Sequence, residues 1–209
     1  MGCRILHISD ALTAQQRDAV HEVLAEGGLI VFPTETFYGV AALPSHAGAL
    51  ERLARLKERE RDKPIPLIAA SREDVSAIAD IPVELAPLAR AFWPGPLTLA
   101  LPPKSGVAPE LLGSGSTVGI RISSYPVARD IASAAGGVVT STSANFSGEA
   151  PPADVEAMSD ALKDAVDLML DAGSLTGGAP STVVGIVDGA VHIFREGAIS
   201  RARIAEVLR

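Results

Sequence analysis

Four short stretches of this 209-residue chain concentrate side chains that hold anions and polar ligands. PTET (33–36) sets two hydroxyls and a carboxylate directly after the apolar run LIVFP. TSTSANFSG (140–148) brings Thr140, Ser141, Thr142, Ser143 and Asn145 together after a pair of valines, more small hydrogen-bonding side chains than one turn needs. PST (180–182) opens a further apolar run with a hydroxyl pair. KERERDK (57–63) alternates in sign without a break. In an extended chain Lys57, Arg59, Arg61 and Lys63 would face one way and the three acids the other, whereas a helix gives attractive i,i+3 pairs but repulsive i,i+4 pairs. Polar clusters at the carboxyl ends of strands are where α/β sheets hold ligands. Taken alone, PTET reads equally well as a polar turn.

Arg121 sits inside TVGIRIS, a stretch that alternates as a strand does, on the same face as Gly119 and Ser123. A desolvated guanidinium needs an anion, either a protein carboxylate or that of a ligand. Arg195, in FREG, poses the same question. The glycine-rich GSGST (113–117) could cradle a phosphate with backbone N–H groups, or be only a loop. His7, His21, His46 and His192 are scattered without metal-ligand spacing. Cys3 is the one cysteine, so no internal disulfide forms. There is no P-loop and no dinucleotide fingerprint. A serine nucleophile at Ser143 lacks both the G-x-S-x-G setting and an evident histidine. Trp93 in the rigid FWPGPLT reads as scaffold. Cations and hydroxyls without a nucleophile suit phosphoryl or nucleotidyl transfer, where the protein positions reactants and neutralises charge, helped by Mg²⁺.

The elements that would carry these groups alternate between strand and helix. Strands are expected over 3–8, 29–33, 65–70, 97–103, 117–123, 138–143 and 166–173, with a hairpin of 181–187 and 190–196 about Asp188-Gly189. Amphipathic helices are expected over 13–28, 45–59, 71–79, 82–92 (with Pro87 inside), 125–137, 153–165 and 200–208. The class is therefore α/β: residues 1–209 as a single domain with one twisted, mixed parallel and antiparallel sheet flanked by helices. Net charge is −7, from 25 acids against 18 bases, which disfavours non-specific coating of nucleic acid. No apolar run reaches membrane-span length and MGCRILHISD lacks a hydrophobic signal core, so a cytoplasmic protein without a membrane partner is expected.

In sequence order, GGLIVFPTETFYGV, the K-x-R of Lys57-Glu58-Arg59 with DKP following, FWPGPLTL, TVGIRIS-x-x-P, the S-x-N of Ser143-Ala144-Asn145, PSTVV and FREGAIS resemble the YrdC-type threonylcarbamoyl-AMP synthases in their short, catalytic-domain form. The resemblance covers the chain from about residue 27 onwards. It implies a fold similar to dihydroxybutanone-phosphate synthase. It implies a nucleotidyltransferase that makes threonylcarbamoyl-AMP and pyrophosphate from L-threonine, bicarbonate and ATP with Mg²⁺, for threonylcarbamoyladenosine modification of tRNA. Downstream threonylcarbamoyl-transferase proteins, and contact with tRNA, are the partners it suggests.

By position, the resemblance makes Lys57, Arg59, Ser143 and Asn145 catalytic. Arg59, Lys63, Thr117, Ser143, Asn145 and Arg195 would address ATP, with Lys57 also turned to its phosphates. Thr34, Thr36, Arg121, Ser141 and Ser181 would hold threonine, Arg121 at its carboxylate. No residue is assigned to a metal, since Mg²⁺ would come on the ATP phosphates. Ile68 falls where many members carry a histidine that approaches threonine. On this reading Lys57→Ala and Arg59→Ala lose activity with little loss of stability. The competing reading is a non-catalytic RNA-binding module of the same fold. An aromatic content of 4% leaves that module few stacking platforms.

Overall fold

The computed structural model describes residues 3–57, 64–112, 115–146 and 148–209. The first half of the chain runs β1 (Arg4–His7), α1 (Ala14–Ala25), β2 (Ile30–Phe32), β3 (Gly39–Ala41), α2 (Ala47–Leu56), β4 (Leu67–Ala69), α3 (Arg72–Ile78), α4 (Ala86–Phe92) and β5 (Leu97–Leu101). The second half runs α5 (Pro109–Leu112), β6 (Val118–Arg121), α6 (Pro126–Ala134), β7 (Val138–Thr140), β8 (Thr142–Ser143), α7 (Asp160–Ala165), β9 (Leu168–Asp171), β10 (Thr182–Val187), β11 (Ala190–Arg195) and α8 (Arg201–Val207).

The α/β class is as expected, but the strands form two mixed sheets. One has the order β1-β9-β2-β3-β8, the other β11-β10-β5-β6-β4-β7. Because strand side chains alternate, β2, β3, β4, β7 and β9 each serve two cores. Val31, Val40 and Met169 of the first sheet meet Leu67, Leu97, Leu99, Ile120 and Val184 of the second, with Leu50 and Leu53 of α2 in the same cluster. The opposite faces, including Ile30, Phe32 and Leu170 on one sheet and Ile68 and Val139 on the other, pack with Val20 and Leu24 of α1 and Val127 and Ile131 of α6.

Local chemistry sets most element ends. Thr13 and Gln16 cap α1 reciprocally. His46 Nδ1 accepts from Ala49 N at the start of α2. Asp188 and Gly189 both take positive φ, 49° and 76°, and Val187 pairs with Ala190, a tight two-residue hairpin. Trp93, ahead of a cis peptide bond to Pro94, is buried, and its indole N–H donates to Leu97 O at 2.6 Å.

Three expected elements differ. The helix across 82–92 starts only at Ala86, so Pro87 occupies its first turn, where a missing N–H costs nothing. The helix expected over 153–165 is confined to Asp160–Ala165, capped by Ser159. The run VVTSTS is not one strand. Its first half, β7, pairs with β4 in the six-stranded sheet, and its second half, β8, pairs with β3 in the other. The chain changes sheets at Ser141. Among the described residues no helix is long and apolar enough to cross a membrane.

Candidate functional site

The sheet-changing segment lines a cavity of about 570 Å³. Its walls come from the segment after β2, from β5, β6 and β10, from the Ser141–Asn145 segment and from the end of β11. Thr34, Thr36, Arg121, Ser141, Ser143, Asn145, Ser181 and Arg195, each assigned to a ligand from the sequence, line it together, with Thr142 of the same hydroxyl cluster.

The PTET segment is an internally bonded turn. Thr34 Oγ1 accepts from the backbone N–H of Thr36 (3.2 Å) and Phe37 (3.3 Å), donates to Phe37 O (2.7 Å) and lies 3.2 Å from Thr36 Oγ1. This turn sends Glu35 toward the other sheet. Arg121 Nη1 donates to Glu35 Oε1 at 2.6 Å, with side-chain exposures of 9% and 11%. Ser123 Oγ donates to the second carboxylate oxygen and itself accepts from Tyr125 N. The anion that Arg121 requires is thus in part Glu35, a residue distant in sequence. Burial lowers the pKa of Arg121 from the ordinary arginine value, and the Glu35 charge opposes that shift.

On the far wall, Thr98 Oγ1 and Ser181 Oγ lie 2.9 Å apart. Arg195 donates through Nε and Nη2 to Ser181 O (3.1 and 2.8 Å) and through Nη2 to Ser181 Oγ (3.1 Å). Desolvation of its guanidinium and then the Arg121 charge both lower the pKa of Arg195. Two guanidinium groups close enough to repel border the cavity, Arg121 paired with Glu35 and Arg195 without a carboxylate partner among the described residues, and Glu149 lines it as well. Thr182, next along β10, anchors the segment behind Arg195. Its Oγ1 accepts from Gly197 N and Ile199 N and donates to Ile199 O.

Ser141 is fixed by its backbone N–H to Pro66 O at 2.7 Å. Ser143 and Asn145 are held from behind by Lys57, the C-terminal cap of α2. Its buried ammonium donates to Ser143 O (2.9 Å), to Asn145 Oδ1 (3.0 Å) and to Asn145 O. Lys57 does not itself line the cavity, and neither does Thr117, half-buried ahead of β6. Ile68 pairs in register with Arg121 but is fully buried on the core side. Arg59 and Lys63 of the basic run lie outside the described residues. Cys3 stands apart from the cavity. Burial first, then Asp167 and Asp164, push its thiol up to about 11, which suits an inert residue.

Sequence reasoning missed Thr98, Gly119 and the Glu35–Arg121 pair. Thr98 left a signal, as the one polar residue in LTLAL. Glu35 left little, because its partner depends on sheet assembly.

The chain is thus a two-sheet α/β protein with an arginine- and hydroxyl-lined cavity where the sheets meet, and it belongs to the Sua5/YciO/YrdC family. The family model, described as "Telomere recombination", matches residues 22–197. A threonylcarbamoyl-AMP synthase of Pyrococcus abyssi is 33% identical over 187 residues, covering 88% of this chain and 55% of the relative. One from Methylococcus capsulatus is 38% identical over 129 residues, covering 61% of this chain and 69% of the relative. The crystal structure of P. abyssi Sua5 complexed with L-threonine superposes with a TM-score of 0.89 at 29% identity, over 97% of this chain and 60% of that one. This chain therefore spans little more than half the length of the P. abyssi protein.

Proposed function

We propose that this chain is an L-threonylcarbamoyl-adenylate synthase, a nucleotidyltransferase that forms threonylcarbamoyl-AMP and pyrophosphate from L-threonine, bicarbonate and ATP. The observation that carries the reading is Arg121: a nearly buried guanidinium, held on one side by Glu35, at the edge of a hydroxyl-lined cavity. Family membership and the relatives' names support the same reading. In it, Arg121 takes the threonine carboxylate with its remaining donors, since a guanidinium fork matches a carboxylate. Thr34, Thr36, Ser141 and Ser181 surround the amino acid. Ser143, Asn145 and Arg195 meet the nucleotide, together with Thr117, Arg59 and Lys63. The threonine nitrogen attacks a CO₂ equivalent derived from bicarbonate, giving a carbamate. A carbamate oxygen then attacks the α-phosphorus of ATP, and pyrophosphate leaves. Neither step needs a covalent enzyme intermediate, so positioning and charge neutralisation do the work.

Among the described residues no group of three or more His, Cys, Asp or Glu side chains could hold a metal ion. In this reading Mg²⁺ arrives on the ATP phosphates and offsets their charge, and no step is assigned to a protein-bound metal. The product would feed threonylcarbamoyl transfer to tRNA by partner proteins, in the cytoplasm. Incubation with threonine, bicarbonate and labelled ATP is expected to release pyrophosphate only when threonine is present. Release that ignores threonine sinks the reading.

A further inference from the structure

Three glycines lie inside described strands at backbone angles open to any residue: Gly39 in β3, Gly119 in β6 and Gly185 in β10. At two of them a Cβ would be crowded by its neighbours. A Cβ on Gly39 would stand 3.2 Å from both Phe32 Cε1 and Thr142 O, and one on Gly185 would stand 2.7 Å from Phe194 Cε2 and 3.0 Å from Ala100 Cβ. Gly119 is different. The nearest described atoms to a Cβ there are Thr98 Cγ2 at 3.4 Å and Pro66 at 3.8 and 3.9 Å, ordinary van der Waals contacts, and Gly119 lines the cavity. A strand interior gives up stability to keep a glycine, and often does so where a ligand approaches closely. Neither backbone conformation nor scaffold packing accounts for Gly119, so the cavity side must.

Its surroundings say which ligand. Arg121 lies two residues along the same strand, on the same face. Thr98, beside the absent Cβ, is paired to the Ser181 hydroxyl at 2.9 Å. Pro66, on the other side, holds Ser141 through its carbonyl at 2.7 Å. Arg121, Ser181 and Ser141, three groups assigned to the amino acid, line the same cavity as this bare Cα. We propose that Gly119 is a specificity-determining residue. Its missing side chain is the floor of the amino-acid pocket, and a substrate whose carboxylate is on Arg121 lays its α-carbon and side chain across it. This inference rests on the synthase reading above.

The test is Gly119→Ala in the full chain. Melting temperature is expected at or above that of the wild type, because alanine suits a strand better. In threonine-dependent pyrophosphate release, KM for threonine should rise at least about tenfold, the usual effect of one methyl group in a fitted pocket, while KM for ATP moves less than about threefold. Glycine as an alternative substrate, lacking a side chain, should lose less than threonine. A threonine KM unchanged in an active Gly119→Ala overturns the inference and leaves the synthase reading standing. So does an equal rise for ATP, or a melting temperature lower by more than about 4 °C, which would mean that the Cβ has no free space. A wild type without threonine-dependent release overturns both.

Discussion

The Lys57 ammonium lies 2.9 Å from the Ser143 carbonyl oxygen and 3.0 Å from Asn145 Oδ1, and also donates to the Asn145 carbonyl. Among the described residues it has three acceptors, all in the very turn that carries Ser143 and Asn145. The lysine of K-x-R is thereby tied to S-x-N from the rear. Lys57→Met keeps the aliphatic stem and removes the donor. It is expected to abolish most activity and also to cost about 2–3 kcal/mol of stability, because a charged hydrogen-bond donor is lost from buried acceptors. The sequence alone suggested a stability-neutral change. Urea unfolding midpoints for wild type and variant decide between the two.

The Arg121–Glu35 pair predicts an asymmetry. Glu35→Ala leaves a guanidinium nearly buried without its carboxylate and should cost about 3–5 kcal/mol. The double variant Glu35→Leu with Arg121→Met should recover much of that loss, since no unpaired charge remains, yet stay inactive toward threonine. Chemical denaturation of both variants, with threonine-dependent pyrophosphate release, checks the two halves separately. A double variant less stable than Glu35→Ala would refute the charge argument.

Tyr38 gives a pH prediction. Its hydroxyl, on a fully buried residue, donates to Gly173 O at 2.7 Å and accepts from Ala172 N at 2.9 Å. Burial, only partly offset by the Ala172 N–H, pushes its pKa up to about 12. The unfolded value is about 10, so folding favours the neutral phenol. That stability is complete below about pH 10 and is lost as pH rises toward about 12. Tyr38→Phe should lower stability at neutral pH by about 1–2 kcal/mol and flatten its decline above pH 10. Thermal melts across that interval provide the measurement.

Thr182→Val preserves shape but strands the N–H groups of Gly197 and Ile199 and the carbonyl of Ile199 in the interior. A loss of about 3 kcal/mol is expected, with faster hydrogen exchange at those two amides. Exchange rates equal to wild type would show that the hydroxyl is not their partner in solution.

Local signals were readable in the sequence and pairings between distant segments were not. Asp188-Gly189 announced its hairpin because the two positive-φ positions need those residue types. PTET, TSTSAN and PST announced polar strand ends for a similar local reason. Pro87 misled, because proline tolerates a helix's first turn and the boundary could not be read from composition. VVTSTS carries unbroken strand propensity, and nothing local says that its halves pair with different sheets. Arg121 announced a need for an anion, but only assembly brings Glu35 to it.

The switch at Ser141 reaches beyond topology. Thr140 still belongs to one sheet while its backbone and hydroxyl already bond Ala42 beside the other, and Thr142 is paired there. The pocket is therefore a joint rather than a dent in a surface, and a chain with only one sheet formed has no pocket at all. A ligand touching Thr36 on one side and Arg121 or Ser181 on the other acts as a rivet across that joint. Occupancy should then slow amide exchange in both sheets together, so that substrate affinity and the closure of the whole fold are read from one equilibrium.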